Sequence, residues 1–395
     1  MTQAPSIKNQ ASFQPVSVDK RANFYLLFVD RMTLLVLGAV VIFNGVTNYI
    51  FGEIIAEGYA LGVSLLYLTF RVKLKTSYVF QVLSLFAFII ISLINISMAE
   101  NPIRLIFLYP YVFFILLLFL PIYRENSGLN ANFLASVLIL FACVSSGHAV
   151  LQRLGFPIVL QLETELRATG LSRSSLNLTG CLFSALAIVV LTMKESIKKY
   201  LSIGLIFCGL IAAGGRGGII CAVTLIILFY FISFINNRFS ALALVIVLLA
   251  IALSAGENSL RAFTAFDFTN DESNLQRLDS YYEFFLLFKF FGEGVGSTSP
   301  AALRFVDALG FESLILNTIY ELGVGFTLIF ATGIVFWLVK MPRRCRSKVY
   351  ILSISIFPMF VGQQLYGSPS AFCCLILCLY CVLAHDKDGM ISVQR

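Results

Sequence analysis

Three stretches of this sequence join charge to backbone freedom or to an apolar boundary, the combination that chemistry on an anionic group needs. The first is Gly214-Gly215-Arg216-Gly217-Gly218, an arginine between glycine pairs where one apolar run ends and the next begins. Without a Cβ, Gly215 and Gly217 let the backbone approach a bound group closely. N–H groups at a helix start favour an anion, and a guanidinium adds bidentate contacts to phosphate. The plainer alternative is an interhelical turn whose Arg216 snorkels to lipid headgroups. Glycine on both sides favours function, because a snorkelling arginine does not require it.

The second stretch is the long polar interruption from Gly256 to Glu312, which holds Arg261, Arg277, Lys289 and Arg304. Loops longer than about 15 residues are uncommon and often functional. Leu275, Leu278, Tyr282, Phe285 and Leu286 recur at three- and four-residue spacing. That pattern predicts an amphipathic helix on the membrane interface, opened by Arg277 and broken by Gly292, Gly294 and Gly296. Ser299-Pro300 predicts the start of a second short helix carrying Arg304. Loop arginines are usually solvated, so Arg277 is the stronger partner for Arg216 and Arg261 and Arg304 are the weaker ones. Two arginines at one site suit a pyrophosphate.

The third is Glu312, directly before an apolar run that continues Ser313-Leu314 and holds Asn317, Tyr320 and Glu321. A carboxylate at that depth is partly desolvated, which suits a general base. The alternative is a helix-start carboxylate that complements the helix dipole. Asn317 and Glu321 follow one and two turns further in, where polar groups bond between helices or line a cavity.

The elements that must position these residues are read from composition and run length. The chain is 59% hydrophobic and 12% charged, against about 25% charged in soluble domains. Apolar runs of about 18 residues match a hydrocarbon core of roughly 30 Å. The fold class expected is all-α, a polytopic transmembrane helical bundle of about twelve spans. They are placed at 32–51, 54–70, 77–98, 103–121, 132–150, 177–193, 200–213, 217–235, 239–255, 313–339, 349–367 and 369–384. With the N-terminus cytoplasmic, about 19 of the 28 Lys and Arg fall on the inside, as the positive-inside rule requires. The domains expected are a cytoplasmic tail over 1–31 without a cleavable signal, spans one to nine over 32–255, a large outer loop over 256–312, spans ten to twelve over 313–384, and a cytoplasmic tail over 385–395. The net charge of +7 reflects this sidedness and does not point to nucleic acid.

Nine cysteines are present. Cys373, Cys374, Cys378 and Cys381 lie within one apolar run, where cysteine behaves as a small hydrophobe. His148 reads as a helix-packing residue. No metal constellation and no cofactor motif is expected.

Taken together, Gly214–Gly218, then Gln276-Arg277…Tyr281…Phe290-Phe291-Gly292-Glu293-Gly294-Val295-Gly296, then Glu312-Ser313…Tyr320-Glu321-Leu322-Gly323-Val324-Gly325, resemble the O-antigen polymerase and ligase superfamily. The resemblance implies a membrane glycosyltransferase of the C-type multi-span fold, with the large loop periplasmic and holding short helices. Such enzymes join undecaprenyl-pyrophosphate-linked oligosaccharides at the periplasmic face of the bacterial inner membrane. Arg216 and Arg277 match the family's two arginines and would hold the donor's pyrophosphate, with Glu312 as base and no metal. Gly215, Gly217, Arg261, Arg304, Tyr281 and Asn317 complete the substrate-binding set. The lipid bilayer and a polysaccharide chain-length regulator are the further partners. Ligases carry His-Asn where this chain has Glu312-Ser313, which favours repeat-unit polymerisation over ligation to lipid A–core. A lipid-linked oligosaccharide flippase is the least favoured reading, since the charges gather at one surface.

Overall fold

The computed structural model describes residues 20–51, 131–156, 167–172, 174–233, 272–287, 290, 292, 313–340, 343–362 and 369–391. Spans expected at 54–70, 77–98, 103–121 and 239–255, the Ser299-Pro300 helix, and the candidate residues Arg261, Arg304 and Glu312 lie outside the described residues. Among the described residues all regular structure is α-helical: α1 Lys20–Ile42, α2 Asn44–Phe51, α3 Ala131–Arg153, α4 Ser175–Thr192 and α5 Ile197–Ala213. They are followed by α6 Arg216–Ser233, α7 Glu272–Leu287, α8 Leu314–Lys340, α9 Arg343–Gly362 and α10 Pro369–Ile391. Two of them, Ala131–Arg153 and Ser175–Thr192, are long and apolar enough to cross a membrane. Shorter apolar helical stretches are Arg31–Ile42, Gly217–Tyr230, Leu314–Gly325 and Ser370–His385.

The bundle is organised around α4. Its sequence is apolar on every face, which marks a helix surrounded by protein, and nearly all its side chains are buried. Helices α1, α3, α5, α6 and α10 pack around it, and α9 joins α6, α8 and α10. The hydroxyls that α4 carries inward bond back to its own carbonyls: Thr179 Oγ1 donates to Ser175 O at 2.7 Å and Ser184 Oγ to Gly180 O at 2.9 Å. Local caps set the helix ends. Ser174 accepts from the Asn177 amide at the start of α4, and Ser196 from the Lys199 amide at the start of α5, each satisfying a donor that a helix start leaves open.

Several boundaries differ from expectation, among them the start of α9 at Arg343, ahead of 349. Helix α1 begins at Lys20, inside the stretch read as a tail, and α10 runs on to Ile391. The run expected as one span at 32–51 is broken at Phe43. Tertiary bonds hold that break: the Gly45 amide donates to Leu171 O at 3.1 Å, and Ser172 Oγ donates to Ile42 O at 2.8 Å. Asn44 Nδ2 donates to Ser370 Oγ at 2.8 Å. The cysteines behave as packing residues: Cys373, Cys374, Cys378 and Cys381 are buried, with the Cys374 thiol near Cys181 O and the Cys381 thiol near Ala131 O.

Contacts sort the helix termini into two ends. At one, the Arg31 guanidinium lies 5.6 Å from the Phe133 ring centre. There too Lys199 Nζ lies 2.8 Å from Glu195 and 4.9 Å from the Phe229 ring centre. The glycine turn before α6 and the Ser313–Phe360 contact between α8 and α9 belong to the opposite end.

Candidate functional site

The glycine turn is built by packing as much as by sequence. Gly214 ends α5 in the left-handed conformation at φ 66° and returns its amide to Ile211 O at 2.9 Å, a glycine-favoured way to close a helix. Arg216 is then the first residue of α6, at the helix end where N–H groups are open. Gly215 and Gly218 face Thr179 of α4. A Cβ on Gly215 would fall 2.5 Å from Thr179 Oγ1, and one on Gly218 still closer to the Thr179 methyl. These two glycines therefore have a packing role of their own, letting α6 approach α4 closely. Thr179 had no motif in the sequence to mark it.

Beside the turn lies a non-helical segment, 167–172, in which Ala168, Thr169, Gly170 and Ser172 are buried and Arg167 is exposed. The Ala168 amide donates to Ala212 O at the end of α5 at 3.1 Å, and the Gly170 amide to Gln152 Oε1 of α3 at 2.9 Å. The Leu171 amide donates to Ser145 Oγ at 3.1 Å. Irregular backbone among apolar helices is tolerated where protein partners satisfy it, and here α3 and α5 do so next to the turn that carries Arg216. His148 is half-buried on α3.

Helix α8 supplies a polar ridge. Ser313 is its cap: Ser313 Oγ accepts from the Leu316 amide at 3.4 Å, and the Asn317 amide donates to Ser313 O at 3.0 Å. The same hydroxyl donates to Phe360 O of α9. Ser313, Asn317 and Glu321 are four residues apart and so share one helix face; Asn317 and Glu321 are both 0% exposed. Because Ser313 fills the capping position, the residue before it, Glu312, is not required as the cap.

The ridge ends at a break. Gly323 has φ 80° and ψ 163° inside α8, a region essentially confined to glycine. The run read as one continuous span at 313–339 is thus two helical pieces. Thr327 Oγ1 donates to the Gly323 carbonyl at 2.8 Å just beyond it. Gly292 lies directly on this break. With φ 72°, its missing Cβ would fall 2.5 Å from the Gly323 amide nitrogen and 2.7 Å from the Glu321 carbonyl carbon. Phe290 lies over Gly325, where a Cβ would meet the ring at 3.1 Å. Two motifs that are far apart in sequence meet here.

The amphipathic helix is present as α7, but it starts at Glu272, so Arg277 lies within it and does not open it. Phe284 is 3% exposed while Phe285 is 75% exposed. Leu275, Leu278, Tyr282 and Leu286 are also exposed. The apolar stripe read from spacing therefore faces away from the described protein, and Phe284 is the residue turned inward. Tyr281 is half-buried. The backbone places Arg216 at the start of α6 and Arg277 in α7.

Among the described residues, the helical bundle thus has one arginine at a helix-start glycine turn and a second in α7, ahead of the broken helix α8. Residues 201–330 match the family model described as O-antigen ligase. The match covers about a third of the chain and includes Arg216, Arg277, Glu312, Asn317 and the Gly323 break. Over that third the chain is similar to the O-antigen ligase family, in line with the resemblance read from its motifs. No curated protein and no solved structure matches.

Proposed function

We propose that this protein is a polysaccharide polymerase of the bacterial inner membrane, with about twelve spans and its active face periplasmic. It lengthens undecaprenyl-pyrophosphate-linked oligosaccharide repeat units without a metal. Glu312 takes the proton from an acceptor hydroxyl, whose oxygen attacks the anomeric carbon of the donor glycan. The bond from that carbon to the pyrophosphate oxygen breaks, and undecaprenyl pyrophosphate leaves. Arg216 and Arg277 stabilise its developing charge electrostatically; the Gly215 and Gly217 backbone, Arg261, Arg304, Tyr281 and Asn317 bind substrate. The observation that carries this reading is the match over 201–330, which holds the arginines and Glu312-Ser313 in one segment. Ser313 fills the hydrogen-bonding cap of α8, so the capping bond does not call for Glu312.

A chain-length regulator is the protein partner this reading implies. The description of the matching family favours a second reading, transfer of finished glycan to lipid A–core. Glutamate in place of the ligase histidine argues for polymerisation. Deleting the gene and running the surface glycans on a gel separates them. Single-repeat capping marks a polymerase, whereas polymer left unattached to lipid A–core marks a ligase. Arg216→Ala and Arg277→Ala should each reproduce the deletion. Unaltered long chains in both variants would remove the mechanism.

A further inference from the structure

We propose that Phe290 and Gly292 are positioning residues, which seat the chain just after α7 on the break in α8 and so fix where the helix carrying Arg277 lies relative to α8. The inference rests on the reading above. Helix α7 turns Phe284 inward and shares no extended interface with another described helix; the contact of Gly292 and Phe290 with α8 is the described anchor close after it. Gly292 touches α8 by backbone alone: its missing Cβ would meet the Glu321 carbonyl group and the Gly323 amide. Neither is the end of a flexible side chain, so no rotamer change makes room. The break itself is what opens this seat, because an unbroken helix holds its carbonyls and amides in its own ladder. Phe290 adds a second point of fit, its ring covering Gly325 while most of its surface is exposed. The Glu321 side chain, buried beside the seat, keeps the ridge polar up to the place where the arm lands.

The test uses the full-length protein in detergent for hydrogen exchange and the same variants in a deletion strain for glycan gels. Gly292→Ala is expected to speed exchange in Glu272–Leu287 while leaving α3, α4 and α5 unaltered. It should also lower long-chain polysaccharide by about tenfold or more, the scale of loss that misplacing a catalytic group produces. Unaltered exchange in the arm overturns the proposal, and so does faster exchange with full-length polysaccharide. If Gly292→Ala removes the protein from the membrane, Gly325→Ala decides. Its methyl pushes on Phe290 and should shorten the chains, and adding Phe290→Leu should restore them; no recovery overturns the proposal. Arg216→Ala is run alongside. Intact chains in that variant defeat the polymerase reading, whereas the exchange result still answers whether the arm is seated.

Discussion

Thr179 of α4 occupies the space that a side chain on Gly218 of α6 would need. The contact lies two residues from Arg216, so the packing of two apolar helices sets where the backbone of α6 begins. Gly218→Ala should therefore destabilise the protein by about 1–3 kcal/mol, the usual cost of overfilling a packed core. Thr179→Ala in the same chain should recover most of the loss. Melting temperatures of the purified proteins in one detergent check this, and equal losses in the single and double variants would disprove it.

At the opposite end of the bundle, Glu195 sits in the turn between α4 and α5. Burial pushes its carboxyl up, but hydrogen bonds from Lys199 at 2.8 Å and Tyr200 at 2.6 Å, with the Lys199 charge, hold it below its ordinary value. A depressed folded value means that the carboxylate adds stability above the unfolded pKa of about 4.3. That contribution is lost as the pH falls through the folded value. Thermal unfolding of the wild type should drop across that acid window, and Glu195→Gln should flatten the dependence. Glu195→Gln should also be less stable at neutral pH, because Lys199, 1% exposed, is left without its carboxylate. Parallel curves for the two proteins would exclude the contribution.

The role of Glu312 is open to a direct comparison of substitutions. As a general base it is worth roughly 10²–10⁴ in rate, so Glu312→Gln should lose long-chain polymer at an unaltered protein level. Glu312→His should keep part of the activity, since imidazole also accepts a proton. Ser313→Ala should instead lower stability by about 1 kcal/mol through loss of the α8 cap. If Glu312→Gln polymerised normally and merely melted earlier, the carboxylate would be structural.

The helices that were legible in the sequence are those whose ends are decided locally. Ser174 and Ser196 cap their own helices, Gly214 closes its own, and the apolar runs between them are uninterrupted. The two breaks were not legible, because each is held from another segment. Leu171 and Ser172 hold the break at Phe43, and Gly292 lies on the break at Gly323. The site follows the same division. Arg216 at the start of a helix can be read from its flanking glycines. That Gly215 and Gly218 serve Thr179, or that Phe290 meets Gly325, depends on how helices approach one another. The stripe on α7 is apolar as its spacing predicts, yet periodicity cannot say whether a stripe faces protein or lipid, and Phe284 is the inward residue.

The burial of α4 has a consequence for how the molecule is assembled. Its wrapping includes α10, the last described helix, so during synthesis the centre of the bundle exists for some time without one wall. Ser175, Asn177, Thr179 and Ser184 are among the α4 side chains that the surrounding helices bury. A chain stopped before Pro369 should accordingly be degraded in the membrane, measurable as a shortened half-life in a pulse-chase. Supplying 369–395 as a separate peptide should lengthen it. The wall that α10 supplies to α4 is thus expected to decide how long the protein lasts in the membrane.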